Sequence, residues 1–130
     1  MAVVPEDRQD ILTKPSFGHV ATLGPKGEPQ VNPVWIDWDG EFLKFSQTKT
    51  RQKIRNMGRD GRISVSVQDP ENPYQYVEVR GEVDRIEDDP GNAFINAMAK
   101  KYLNEDVYPW HQPGDERVIV YVRPVHSTKM

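Results

Sequence analysis

Cysteine is absent from all 130 residues, which excludes a disulfide, a thiolate metal site and a thiol nucleophile. Long apolar runs are also missing, so no segment reaches membrane-spanning length. The N-terminus lacks the basic-then-apolar pattern of a secretory signal, and the expected location is cytoplasmic. Hydrophobic residues make up only 36%. That is a lean supply for the core of one domain over residues 1–130, and a lean core is often completed by pairing with a second copy. Positive charge is in deficit: 17 Lys and Arg stand against 20 Asp and Glu, for a formal net charge of −3. This argues against general nucleic-acid binding. The three histidines, His19, His111 and His126, lie far apart with no Asp or Glu at ligand spacing, so no metal site is expected. No Gly-x-Ser-x-Gly elbow marks a hydrolase nucleophile.

Turn formers, by contrast, are plentiful. Eleven prolines and nine glycines punctuate the chain too often for a helical bundle and suit short strands joined by turns. Residues 6–13 read as a short helix with Ile11 and Leu12 facing the core. Strands are expected over 18–23, 30–38, 41–46, 62–68, 75–87 and 117–123, the last followed by a polar tail. In the second of these, Val31 and Trp35 share one face and Val34, Ile36 and Trp38 the other. Pro33 places part of that run at an edge, a bulge or a bend. Gly81 marks a bulge in the long fifth strand. Helices are expected over 50–58, capped by Thr48 or Thr50, and over about 90–103. Six hairpin-linked strands with short helices predict a mostly β, closed or partly closed antiparallel barrel.

The stretch from Phe45 to Asn56, Phe-Ser-Gln-Thr-Lys-Thr-Arg-Gln-Lys-Ile-Arg-Asn, is the most pointed. A strand end runs into a helix that opens with hydroxyls and cations. Helix N–H groups, a favourable dipole and positive side chains then meet at one spot, which is how a chain seats a phosphate. Arg51 offers a rigid fork of donors and Lys53 a compact charge, both expected to face solvent. This reads as a binder of a phosphorylated redox cofactor. The competing view is a solvated basic face. Trp110 and His111, in the loop 104–115, line a substrate pocket or clasp the barrel surface, with the clasp favoured.

Three motifs, Ser46-Gln47-Thr48 followed by Arg51, Lys53 and Asn56, then Asn32-Pro33-Val34-Trp35, then Tyr74-Gln75-Tyr76-Val77 leading to Arg80-Gly81, resemble the pyridoxamine 5′-phosphate oxidase-like superfamily over nearly the whole chain. The resemblance is nearest to its branch of coenzyme F420 (deazaflavin)-dependent reductases. It implies a homodimeric six-stranded split β-barrel with two cofactor sites at the subunit interface. It places the cofactor phosphate on Ser46, Thr48, Arg51 and Lys53, and the ring along Asn32, Pro33, Val34 and Trp35. The strand at Tyr74 and Tyr76 would come from the partner subunit. It implies hydride transfer from the reduced deazaflavin to an electron-poor small molecule, with no catalytic acid or base assigned. Asn-Pro-Val-Trp-Ile-Asp stands where flavin oxidases of the superfamily carry an Arg-x-Val-Leu-Leu-Lys type of strand, and the chain ends without their Arg-Leu-His type of motif. Both departures argue against vitamin B6 oxidation. An oxidoreductase using flavin mononucleotide (FMN) and a non-catalytic cofactor store remain the alternatives.

Overall fold

A computed structural model describes residues 2–130. Seven antiparallel strands form one sheet in the order β2-β1-β5-β6-β7-β4-β3, curled into the half-barrel of a split-barrel fold. The strands are β1 (Phe17–Leu23), β2 (Pro29–Trp35), β3 (Asp37–Trp38), β4 (Leu43–Thr48), β5 (Arg62–Gln68), β6 (Tyr76–Asp88) and β7 (Arg117–Lys129). A 3₁₀ turn (Glu6–Arg8) leads into α1 (Gln9–Thr13); α2 (Gln52–Arg59) follows β4 and α3 (Ala93–Leu103) follows β6. Among the described residues no helix is long and apolar enough to cross a membrane.

The core follows from the two-residue period of the strands. Val20, Val65, Val67, Val77, Val79, Val120 and Val122 project inward and are fully buried, together with Leu43 and Phe45. Each such side chain contributes about 1.5–3 kcal/mol by leaving water. Ile11 and Leu12 on α1 are buried as well, so the short N-terminal helix adds to this core. The β1–β2 hairpin turns at Gly27, whose φ of +79° favours glycine.

The run expected over 30–38 splits in two, which gives the seventh strand. β2 pairs along its full length with β1, from Phe17 opposite Trp35 to Leu23 opposite Pro29. The chain then leaves that neighbour, and Asp37 and Trp38 pair with β4 instead. Ile36 sits at the crossover. Its side chain is fully buried, and its backbone groups find partners on α3. The Ile36 N–H donates to the Tyr102 hydroxyl (2.9 Å). Lys101 Nζ donates to the Ile36 carbonyl (2.6 Å), and the Tyr102 hydroxyl donates to the Ser16 carbonyl. Pro33 lies on β2, an edge strand of the sheet, where a missing N–H is tolerated.

Two further boundaries differ from expectation. The β4–β7 ladder extends to Thr48 opposite Arg117, and the Lys49 N–H donates onward to the Glu116 carbonyl (2.9 Å). Continued pairing carries the chain past Thr48, so α2 starts at Gln52 with Arg51 at the N-cap and no side-chain cap. Neither Thr48 nor Thr50 caps it. The supposed polar tail is the second half of β7, paired with β6 from Arg80 opposite His126 to Val77 opposite Lys129. Its pattern hid it because that half is mostly exposed. The pairing with β6 slips between Arg80 and Gly81 and again between Val83 and Arg85, the bulge expected at Gly81.

A Cβ on Gly81 would lie 2.2 Å from the Arg123 carbonyl oxygen. Gly81→Ala should therefore cost about 1–3 kcal/mol from backbone displacement, seen as a lower Tm. Gly58, inside α2 with no atom near its missing Cβ, should respond in the opposite sense: Gly58→Ala gains about 0.5–1 kcal/mol. Tyr102→Phe should cost about 1–3 kcal/mol by stranding the Ile36 N–H, read by denaturant unfolding.

Candidate functional site

A trough opens between the β2 edge and the β4–α2 junction. It consists of two adjoining cavities that share Pro33, Gln47 and Arg51. The first, of about 290 Å³, is bounded by Val34 and Trp35 on β2, Ser46 and Thr48 on β4, Ile95 and Met98 on α3, and Tyr108 and Trp110 on the following loop. Phe17 and Arg117 complete it. The second, of about 330 Å³, adds Gln30, Asn32, Gln52 and Lys53. Three cations line the trough, and no Asp or Glu does.

The sequence-predicted residues divide into three groups. Asn32, Pro33, Val34, Trp35, Ser46, Gln47, Thr48, Arg51 and Lys53 all line the trough. Alternation along β2 turns Val34 toward the core. Asn56 stands apart, fully buried beneath α2. Its amide nitrogen donates to Thr22 Oγ1 (3.1 Å) and Gln30 Oε1 (3.0 Å). Its oxygen accepts from Gln52 Nε2 and Arg59 Nη2 (both 2.9 Å). Asn56 braces the wall rather than facing the space, and with all four bonds made it has little left for a ligand. Tyr74 is exposed and Tyr76 half-buried at the start of β6; neither borders the trough of its own chain.

Lys53 is a correction. It was expected to face solvent, yet it is only 6% exposed, and its Nζ donates to Asn32 Oδ1 (2.7 Å). Burial, with the Arg51 charge second, holds its pKa below the ordinary lysine value. The late start of α2 explains the burial: the side chain leaves the first turn of the helix toward β2 rather than outward. Arg51 remains exposed, and no described residue forms a salt bridge with it. The N-terminus of α2 carries no side-chain cap, so its first N–H groups are available beside Arg51 and Lys53.

At the opposite end an aromatic group forms the wall. Trp35 stacks on Tyr102 with centroids 5.1 Å apart and planes 11° from parallel. Tyr108 meets Trp35 edge-on at 5.8 Å, and Trp110 lies 6.1 Å from Trp35. Burial raises the Tyr102 hydroxyl to about 12, which keeps it neutral and able to donate to Ser16. Lys101 is shifted down by burial, partly offset by Asp37.

Sequence reasoning missed Phe17, Ile95, Met98, Tyr108 and Arg117, and preferred a surface clasp for Trp110, which in fact lines the trough. His111 does not border it. Arg117 opens the last strand and carries no motif. Only the register that sets it opposite Thr48 brings it to the site. Among the described residues no cluster of His, Asp or Glu is placed to hold a metal.

Comparison with known proteins follows the same lines. The family described as pyridoxamine 5′-phosphate oxidase matches residues 4–126. A solved structure called an F420 reductase is 44% identical, with a TM-score of 0.86 over 96% of this chain and 98% of that one. A conserved hypothetical protein of Mycobacterium tuberculosis shares 22% identity at a TM-score of 0.76, over 98% and 84% of the two chains. General stress protein 26 of Bacillus anthracis shares 19% at 0.72, over 96% and 92%. These two show the fold alone. None of the curated proteins matches. With a match spanning nearly its whole length, the chain belongs to the pyridoxamine 5′-phosphate oxidase family.

Proposed function

We propose that this protein is an oxidoreductase that binds the deazaflavin coenzyme F420 in the trough and uses it to reduce an electron-poor small molecule. The observation that carries the reading is the charge of the trough: Arg51, Lys53 and Arg117 line it without one carboxylate. Such a surface is built for an anion. Arg51 pairs with phosphate oxygens as a fork. Lys53, buried and held by Asn32, would have its charged form stabilised by a phosphate beside it. Ser46, Gln47 and Thr48 add hydroxyl and amide donors, and the uncapped start of α2 adds its N–H groups.

The rest of the trough fits a flat ring. Val34, Ile95 and Met98 supply an apolar floor, and Trp35, Tyr108 and Trp110 an aromatic wall. β2 is an edge strand, so its outward backbone groups are left for a heterocycle to pair with. When bound in reduced form, the cofactor supplies a hydride for an activated double bond. The protein's own contribution is to fix the anion, orient the ring and keep water from it. The 44% identity to a structure called an F420 reductase favours the deazaflavin over FMN.

The working unit in this proposal is a homodimer. Phe17 and Val31 are 54% and 61% exposed. Their register, Phe17 opposite Trp35 and Ala21 opposite Val31, puts them on one face of the β1–β2 hairpin, and Phe17 borders the trough. A second subunit covering this face would bring Tyr74 and Tyr76 of the partner subunit to the open side.

Titration of the purified protein with F420 and with FMN, followed by absorbance and fluorescence, should show tight binding of F420 and weak binding of FMN. The reverse order would establish the FMN enzyme instead. Arg51→Ala should weaken F420 at least tenfold with Tm unchanged, since the side chain makes no described salt bridge; unaltered affinity would remove the phosphate assignment. Light scattering should give twice the mass of the 15.0 kDa chain. Tight binding without oxidation of reduced F420 by enones or quinones would mark a cofactor store.

A further inference from the structure

The loop between β5 and β6 is ordered from within. Every backbone N–H from Asp69 to Gln75 finds an acceptor inside it. Asp69 donates to the Gln75 carbonyl (2.9 Å), Asn72 to the Asp69 carbonyl (3.3 Å) and Gln75 to the Asn72 carbonyl (3.0 Å). Glu71 donates to Asp69 Oδ1 (2.9 Å) and Tyr74 to Asn72 Oδ1 (3.2 Å). Pro70 and Pro73 have no N–H to satisfy, and Gln68 Nε2 donates to the Pro73 carbonyl (2.7 Å). The loop is also tied to the end of α1. Lys14 Nζ donates to both carboxylate oxygens of Asp69 (3.2 and 3.3 Å) and to Glu71 Oε2 (3.4 Å). Asp69 is buried, yet the aromatic at the tip, Tyr74, is 78% exposed.

A loop already ordered around a solvent-exposed aromatic has little freedom left to lose on docking, and rigid tyrosines are frequent anchors of interfaces. Building on the dimeric cofactor reading above, we infer that residues 69–75 form a preset arm that seats Tyr74 at the trough of a second copy of this chain, and that Lys14 and Asp69 are the positioning residues that aim it.

Position and charge both favour a second copy as the partner. Gln68 at the end of β5 pairs with Tyr76 at the start of β6, and the β1–β5 register sets Gly18 opposite Val67. The arm therefore leaves the sheet at the end where β1 begins with the exposed Phe17 and β2 finishes with Trp35. An exposed aromatic beside an open cleft suits two-fold pairing, in which each copy offers an arm and receives one. The trough is cationic without a carboxylate. A phenol brings it a flat apolar face and a hydrogen-bond donor but no negative charge. Glu71, which would bring one, is held back by Lys14. Loss of Lys14 strands the buried Asp69 carboxylate without its cation and releases Glu71, so the arm loses its anchor and its neutral tip together.

The test is a double-mutant cycle on the full chain. It is read by F420 affinity in a fluorescence titration and by the dimer dissociation constant in the analytical ultracentrifuge. Tyr74→Ala should weaken both at least fivefold, and Lys14→Met both at least threefold. The double variant should stay within twofold of Tyr74→Ala alone, because an arm without its tip no longer needs aiming. Lys14→Arg should return both quantities to within twofold of wild type. A lysine that served the fold alone would give additive losses. Three results would overturn the inference: additive losses, Tyr74→Ala leaving either quantity unchanged where both are measurable, or a Lys14→Met loss that Lys14→Arg does not restore. A monomer that binds F420 as tightly as proposed would overturn the arm and leave the cofactor reading standing. Coupling of Lys14 to Tyr74 in the dimer constant of a protein that binds no F420 would support the aimed arm and remove the cofactor reading alone.

Discussion

The pair of contacts that Tyr102 and Lys101 make with Ile36 holds the architecture to its purpose. At Ile36 the chain changes neighbours, from β1 on one side of the half-barrel to β4 on the other. A strand cannot make that change without leaving backbone groups unpaired, and an unpaired group in a buried corner costs about 1–3 kcal/mol. Here α3 supplies the missing partners. The same tyrosine ring stacks on Trp35, one residue before the switch. The corner, the last turn of α3 and the aromatic end of the trough are thus a single mechanical unit. The loop that carries Tyr108 and Trp110 is held to that unit through Asn96.

The other end of the trough is organised by burial of polar groups in a satisfied network. Asn56 joins α2 to β1 and β2 through Thr22 and Gln30, and Lys53 joins it to β2 through Asn32. The bonds to Gln30 and Asn32 cross from helix to edge strand. They fix the width of the gap in which Arg51 and the uncapped helix end stand. Fully paired networks of this kind set geometry as much as stability. A basic helix that merely faced water would need neither.

Much of this was legible in the sequence, for reasons that can be named. The alternation of Arg62 to Gln68 and the glycine at position 81 each encode a local requirement, and the structure meets both; the hydroxyl-rich, cationic passage after Phe45 brings Ser46, Thr48, Arg51 and Lys53 to the trough. Elements failed to show where the deciding information was non-local. Ladder pairing with β7, not the Ser/Thr content of the segment, sets where α2 begins. The outer half of β7 covers no core, so its pattern resembled a tail. Arg117 enters the site by register alone. Lys53 and Asn56 look like surface groups on a basic helix, but the neighbouring strand closes over them. In each case a side chain's role depended on which strand lay beside it, and no window of sequence holds that.

The seclusion of Lys53 carries a further consequence. Its ammonium is less favoured than that of an exposed lysine because burial and Arg51 both oppose it. A phosphate laid beside it would oppose both effects and raise its proton affinity. Filling the trough with an anion would then favour the protonated lysine. By linkage, occupancy by the proposed cofactor would weaken as the medium becomes more alkaline across the interval between the free and the loaded values. A lysine tucked under a strand would thereby make retention of the proposed cofactor responsive to acidity.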